Sequence, residues 1–406
     1  MNIPNALTPA IIKQVAQKEG VSVDTIKAGL KSGKQVILVN PIHTNVKPVA
    51  VGEGLRVKMN ANIGVSPKCS SLEAELEKVK LCERYDVDCI MDLSLGDDSR
   101  RIRREIVAAS SMPVGTVPLY ELFFRHADYP ENMIGPFLEI LEENGKDGVD
   151  FVVIHAGLLM QHLELVKSRL IKVTSRGGSM LIRWMEKYQK ENFLYTHFDQ
   201  ILEVCKRYNM TISLGDGMRP ATIIDETDDA QIQELKNIGQ LVLRCRESGV
   251  QSMVEGPGHI PAHKIALNVQ LQKEYCFAAP FYILGPLVTD IGAGYDHITA
   301  AIGATIAGMA GADFLCYVTP SEHLSSPDLQ DVKDGIIAFK IAAHAVDLTR
   351  GKDWERDRKM SEARGKLDWP TQKATALDPD SFDKYRKNIP AGLDACTMCG
   401  EFCALK

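Results

Sequence analysis

The chain has 406 residues, 45% hydrophobic and 25% charged, the proportions of an ordinary globular protein long enough to bury one large core or two smaller ones. These values exclude a disordered, collagenous or small disulfide-stapled chain. Lysine and arginine number 47 against 53 aspartate and glutamate, a formal charge of -6, so no broad basic field exists to hold a nucleic-acid backbone by counterion release.

The start, Met1-Asn2-Ile3-Pro4-Asn5, lacks the basic-then-apolar order of a signal peptide, and no run of about 18 apolar residues occurs. The expectation is a soluble cytoplasmic protein with neither membrane nor nucleic acid as partner. Residues 1–33 read as helical, with turns at Gly20 and Gly33 and capping residues in Val21-Ser22-Val23-Asp24, and a strand-like run over 35–39 follows. From about residue 86 short, nearly continuous apolar runs alternate with amphipathic stretches of helical period, the pattern of strands buried on both faces. Eight such runs are predicted as strands: 89–93, 114–118, 151–155, 171–174, 211–214, 252–255, 282–285 and 314–318. Eight strand–helix units over this length fit a (β/α)8 TIM-like barrel in the α/β class, with a doubly wound open sheet as the competing architecture. The barrel is preferred because polar residues or clusters stand at the run ends, where a closed barrel gathers them at one mouth. Helices are expected over 328–348 and through much of 353–367. The expected organisation is an N-terminal region over 1–85, the barrel over 86–326, a helical C-terminal domain over 327–390 and a cysteine tail over 391–406.

Four clusters carry chemistry. Ser175-Arg176-Gly177-Gly178-Ser179 reads as an anion cradle of exposed N–H groups, an arginine and a helix N-terminus, or as a plain tight turn. Gly215-Asp216-Gly217-Met218-Arg219 suits hydroxyl and phosphate contacts, although an Asp–Arg ion pair bracing the loop leaves the same trace. Glu255-Gly256-Pro257-Gly258-His259 puts a carboxylate and an imidazole on a turn whose proline fixes φ and whose glycines permit positive φ. His259 with His323 either shares a divalent metal, Zn2+ in the first instance, completed by water or substrate, or forms two hydrogen-bonded loop residues. Of ten cysteines, Cys69, Cys82, Cys89, Cys205, Cys245, Cys276 and Cys316 are scattered as buried thiols are, whereas Cys396, Cys399 and Cys403 crowd the end. From spacing, the three are ligands of a [4Fe–4S] cluster with one open iron, zinc ligands awaiting a distant fourth, or unrelated thiols.

In order along the chain, Met59-Asn60-Ala61-Asn62-Ile63-Gly64, Ile90-Met91-Asp92-Leu93-Ser94, Gly115-Thr116-Val117-Pro118-Leu119-Tyr120, Ile154-His155-Ala156-Gly157 and Ser175-Arg176-Gly177-Gly178-Ser179 are followed by the stretch from Ser213 to Pro220, then Glu255-Gly256-Pro257-Gly258-His259 and Gly294-Tyr295-Asp296-His297-Ile298-Thr299. Together they resemble the thiamine pyrimidine synthase (phosphomethylpyrimidine synthase) superfamily of atypical radical S-adenosylmethionine enzymes, from about residue 35 to the tail. The resemblance implies a radical carbon–carbon lyase that cleaves S-adenosylmethionine and rearranges 5-aminoimidazole ribotide. It implies an electron-donor protein such as a ferredoxin or flavodoxin, and a homodimer in which one chain's tail closes over the other's barrel. It assigns substrate contacts to Asn62, Met91, Tyr120, His155, Ser175, Arg176, Gly177, Asp216, Gly217, Met218, Arg219, Glu255 and Tyr282; Glu255 is expected to transfer a proton or merely to bind the base. It assigns a zinc-type metal to His259 and His323, and the cluster to Cys396, Cys399 and Cys403. The chain departs from the usual pyrimidine synthase at Gly292 and Ala293, where Ala-Pro is usual, at Ala221, where Gly is usual, in the absence of a long N-terminal domain, and in a cysteine spacing one residue shorter than the commonest. These departures make it most similar to the paralogous 5-hydroxybenzimidazole synthase, which serves anaerobic cobamide synthesis, with the pyrimidine phosphate of thiamine as the alternative product. A zinc-dependent barrel hydrolase or a non-catalytic ribotide-binding protein are the remote alternatives, and the intact cysteine triplet argues against both.

Overall fold

The computed structural model describes residues 1–66, 69–387, 389 and 395–405, the side chain of Glu401 excepted. The expected boundary between residues 390 and 391 lies outside the described residues. Contacts divide the chain into two units, Met1–Ala343 and His344–Lys406.

In the first unit Thr8 and Ser22 accept backbone N–H groups as N-caps and start α1 (Pro9–Glu19) and α2 (Val23–Ser32). Gly20 and Gly33, both left-handed, end them. An antiparallel hairpin follows, β1 (Gln35–Leu38) and β2 (Val49–Gly52), with Gln35 opposite Gly52. Its main chain is tied to residues that precede barrel strands. Ile37 N–H donates to Gln251 Oε1 (2.8 Å), Asn40 N–H to Asp150 Oδ1 (2.7 Å), and Asn209 Nδ2 to the Val39 carbonyl (2.7 Å). The hairpin therefore closes the N-terminal end of the barrel and leaves the C-terminal end open.

The barrel is closed, parallel and eight-stranded: β3 (Lys58–Ile63), β4 (Cys89–Asp92), β5 (Val114–Thr116), β6 (Phe151–Ile154), β7 (Thr211–Leu214), β8 (Ser252–Gly256), β9 (Phe281–Leu284) and β10 (Phe314–Cys316), which pairs back onto β3. Connecting helices are α3 (Leu72–Arg84), α4 (Ser99–Ala109), α5 (Pro118–Arg125), α6 (Ile134–Asp147), α7 (Arg176–Tyr188), α8 (Phe193–Thr196), α9 (Phe198–Tyr208), α10 (Asp229–Ser248), α11 (Ala262–Tyr275), α12 (Asp296–Ala310) and α13 (Leu329–Thr349). Rings fill the interior: Tyr282 stacks on Phe314 (centroids 4.4 Å), which meets Phe151 edge-on at 6.3 Å. Gly115 makes room for the Phe151 ring, which would lie 2.2 Å from a Cβ placed there.

Two sequence expectations fail here, and they offset each other. The run over 171–174 is not a strand. Leu170 and Ile171 are 69% and 48% exposed, and their N–H groups go to the Asp225 carboxylate (3.0 and 3.1 Å) instead of a neighbouring strand. The barrel instead begins at β3, ahead of residue 86. Its polar residues hid it: Lys58, Asn60 and Asn62 alternate with Met59, Ala61 and Ile63, yet Lys58 and Asn60 are buried by partners. Lys58 pairs with Glu19 (3.1 Å), and Asn60 donates to Asn62 Oδ1 (2.9 Å). Cys69 is also exposed, unlike the six other scattered cysteines, which are buried.

The second unit carries α14 (Trp354–Gly365), α15 (Trp369–Thr375) and α16 (Pro379–Arg386), the last two N-capped by Asp368 and Asp378. Arg386 lies over the Trp369 ring at 3.5 Å.

Candidate active site

The C-terminal ends of the barrel strands surround a cavity of about 280 Å³. Of the residues singled out in the sequence, Asn62, Met91, Tyr120, His155, Arg176, Arg219, Glu255, His259, Tyr282 and His323 line it. They come from every strand end, as closure of the sheet requires. Ser175, Gly177, Asp216, Gly217 and Met218 stand behind this lining.

Those residues build the walls. Ser175 caps α7 by accepting Gly178 N–H (3.1 Å) and lies 3.2 Å from His155 Nε2. A Cβ on Gly177 would meet the His155 ring at 2.6 Å, one on Gly215 the same ring at 2.9 Å, and one on Gly178 the Gly217 carbonyl at 1.9 Å. These glycines allow close packing of two loops around His155. The same holds on the β8 turn. Gly256 and Gly258 do not adopt positive φ; a Cβ at Gly256 would strike the Phe281 ring at 2.3 Å, and one at Gly258 would crowd Leu284 at 3.1 Å. The turn is held by Ile260 N–H to the Leu287 carbonyl (3.1 Å) and Leu287 N–H to the Gly258 carbonyl (2.7 Å).

Charge is concentrated on one side. Arg219 Nη1 donates to Asp216 Oδ1 (3.1 Å), so the bracing ion pair is present. Arg219 Nε, Asp216 Oδ2 and His155 Nδ1 are nevertheless buried without partners, an arrangement that fits a polar ligand reaching between them. Arg176 lies over the Tyr120 ring at 5.0 Å, at the start of α7, where a helix N-terminus favours an anion. Burial first, then the charge of Asp216, pushes the Glu255 carboxyl up to about 8, against Arg219 and the Ser213 hydroxyl, which donates to Oε1 at 2.9 Å. Burial takes His155 down to about 3, a neutral ring.

His259 and His323 face each other with ring centroids 5.2 Å apart. Each places Nδ1 on a carboxylate: His259 on Asp290 Oδ1 at 2.8 Å and His323 on Asp296 Oδ2 at 3.0 Å. Ionised carboxylates accept, so Nδ1 carries the proton and both Nε2 atoms are left as ligand atoms. Burial raises Asp290, but His259, the Ile223 N–H and the Thr222 hydroxyl outweigh it and keep the carboxyl below its usual range. Among the described residues no three His, Cys, Asp or Glu side chains are already gathered as a metal shell. The two histidines thus offer two positions and leave the rest for water or substrate, and this donor set fits a divalent metal. Sequence reasoning missed Asp290 and Asp296 as partners of these rings. Their nearness in sequence to His297 was visible, but which histidine they serve was not.

In the second unit the N–H groups of Cys399 and Met398 hold the Cys396 thiol below its usual range, and the charges of Cys396 and Cys403 push Cys399 upward. Cys396 is thus disposed to ionise, and the thiolate is the form that ligates a metal–sulfur cluster, although among the described residues the three tail thiols are not gathered as a ligand set.

The sequence profile described as the radical SAM ThiC family matches residues 4–406. This chain belongs to that family. It is 50% identical over 408 residues to the phosphomethylpyrimidine synthase of Caldanaerobacter subterraneus subsp. tengcongensis, covering 97% of this chain and 94% of the relative. Identity to the phosphomethylpyrimidine synthase of Desulforamulus reducens is 49% over 406 residues, 97% of this chain and 94% of the relative. The synthase of Methanocaldococcus jannaschii is 46% identical over 413 residues, 99% and 96% of the two chains. Membership in the radical SAM ThiC family carries a [4Fe–4S] cluster and S-adenosylmethionine with it.

Proposed function

We propose that this protein rearranges 5-aminoimidazole ribotide to the pyrimidine phosphate of thiamine, in the cytoplasm and as a homodimer supplied with electrons by a ferredoxin or flavodoxin. The observation that carries the reading is convergence. Motifs scattered over more than 260 positions, from Asn62 to His323, line one cavity in a chain that belongs to the radical SAM ThiC family. The 46–50% identity to phosphomethylpyrimidine synthases supports the pyrimidine product over the benzimidazole one. Gly292 and Ala293 beside the Asp290–His259 pair, and Ala221 beside Arg219, favour the second reading, 5-hydroxybenzimidazole from the same ribotide.

Cys396, Cys399 and Cys403 would hold a [4Fe–4S] cluster, which with S-adenosylmethionine would supply one-electron and radical chemistry. The chain's own residues do the rest. Arg176 and Arg219 hold the phosphate and ribose hydroxyls, with Asp216 fixing Arg219 and Tyr120 backing Arg176. Glu255, protonated at neutral pH, gives or takes a proton at its carboxyl, and neutral His155 accepts at Nδ1. Asn62 and Tyr282 line the cavity, and His259 and His323 would hold Zn2+ or another divalent ion, which would supply Lewis acidity there. The homodimer is supported by α12, where Tyr295, Ile298, Ile302 and Met309 form a stripe 48–65% exposed while the opposite face is buried. An exposed apolar stripe on a helix is a surface suited to burial, and a second copy meeting its own α12 would cover it.

The test is an anaerobic reaction of the iron- and sulfide-reconstituted protein with ribotide, S-adenosylmethionine and dithionite, with products separated by mass. A phosphorylated pyrimidine is expected. A benzimidazole replaces the product assignment with the second reading, and absence of methionine and deoxyadenosine overturns the radical reaction.

A further inference from the structure

Behind the cavity wall, the loop that carries Asp216 and Arg219 is held by groups that touch no part of the cavity. Glu234, on α10 and 1% exposed, accepts Gly217 N–H on Oε1 (2.8 Å) and Met218 N–H on Oε2 (2.7 Å). Arg169 Nη1 donates to the carbonyl of the same Met218 (2.7 Å), and its Nε and Nη2 are locked by both oxygens of Asp228 at 2.6 Å. Asp228 is itself the N-cap of α10, so Arg169 and Glu234 grip the Gly217–Met218 segment from one helix's first turns. On the other side Gly178 leaves no room for movement, since even a Cβ there would overlap the Gly217 carbonyl.

We propose that Glu234 and Arg169 are positioning residues that set the Gly217–Met218 backbone, and through it hold Asp216 and Arg219 in ligand-ready geometry before the ribotide arrives. The physical reason is twofold. The two N–H groups are buried and must be paired, and Glu234 gives one carboxyl oxygen to each, although burial and the charge of Asp216 push that carboxyl up to about 8. Arg219 sits one residue beyond the clamped segment; its Nη1 is held by Asp216 within the same loop and its Nε is buried without a partner, so the clamp sets where the pair points. With the loop prepaid in order, binding loses less entropy. This rests on the reading of the cavity as a ribotide site.

Two measurements test it. In the ligand-free wild-type protein, hydrogen exchange followed by mass spectrometry should find the Gly217 and Met218 amides as protected as the barrel strands; exchange at the rate of an open loop would overturn the proposal whatever the substrate is. In Glu234→Gln and Arg169→Lys, calorimetry should show ribotide affinity reduced roughly 10- to 100-fold, with kcat at saturating ribotide within about threefold and S-adenosylmethionine affinity unchanged. Glu234→Gln loses one acceptor and Arg169→Lys loses the fork, yet both keep the volume, and circular dichroism reports whether they fold. A folded Glu234→Gln protein that binds ribotide as wild type does would sink the idea. If wild type itself fails to bind ribotide, the site reading fails and the exchange result alone decides the clamp.

Discussion

Glu255 is a carboxyl that the fold keeps protonated. Its ordinary value is 4.5 and its folded value about 8, so between those pH values the native state holds a proton that the unfolded chain has released. The contribution of this group to stability therefore falls as pH rises from 4.5 to 8 and is level beyond. Thermal melts of Glu255→Gln, which lacks this ionisation, are expected to be flatter with pH across that window than those of wild type. Activity follows the same proton: kcat/KM should decline above pH 8 in wild type, and Glu255→Gln should bind ribotide while turning over at least 100-fold more slowly. A turnover rate in Glu255→Gln close to wild type would reduce the residue to a binding group. The histidine pair makes a separate prediction. Asp290 fixes the tautomer of His259, so Asp290→Asn should weaken divalent-metal affinity about 10- to 100-fold in direct titration, without change in the iron content of the tail. Equal metal affinity in the two proteins would remove Asp290 from the site.

At the scale of elements, the glycines matter for what they let approach. Gly178→Ala places a methyl on the Gly217 carbonyl and should destabilise by about 1–3 kcal/mol in denaturant unfolding, with loss of ribotide binding. Gly135, which has open space where its Cβ would go, is the control, and Gly135→Ala should leave binding unchanged. The elements also show how far periodicity reaches. Strands β4 to β10 were legible because their runs are apolar on both faces, as a sheet covered by helices and filled by side chains demands. Strand β3 was not legible, because Asn60 donates to Asn62 Oδ1 inside the barrel and Lys58 meets Glu19 at its base. Those pairings depend on residues that only the closed sheet brings together. The stretch over 171–174 shows the converse, a run of the right composition whose backbone finds Asp225 first.

At the scale of the molecule, α12 has one face packed on the barrel and one face exposed. Its inner face is built from Ala300, Gly303, Ala304, Ala307 and Gly308, all buried, and Gly303 lies so close to the Pro286 carbonyl that a Cβ would sit 1.9 Å away. Its outer face keeps the apolar stripe, on a helix that starts at Asp296, the partner of His323. If that stripe is the contact between copies, Ile298→Asp combined with Ile302→Asp should convert a dimer to a monomer in light scattering while the circular dichroism spectrum stays the same. A double variant that remains dimeric would place the contact elsewhere. No helix among the described residues is long and apolar enough to cross a membrane, which accords with the absence of any long apolar run.

The order of residues alone determined the class of fold, the clusters that face the mouth and the resemblance to a family, because strand periodicity and short motifs are local properties of the chain. Tertiary structure decided which strand closes the barrel, why the glycines are glycines, which carboxylate orients which histidine, and that Glu234 and Arg169 stand behind the substrate loop. Each of these depends on distance in space between residues far apart in sequence, and burial acts only once those distances exist. The sharpest case is Glu255, a residue found from its motif whose proton exists only because the closed barrel takes its carboxyl out of water beside Asp216.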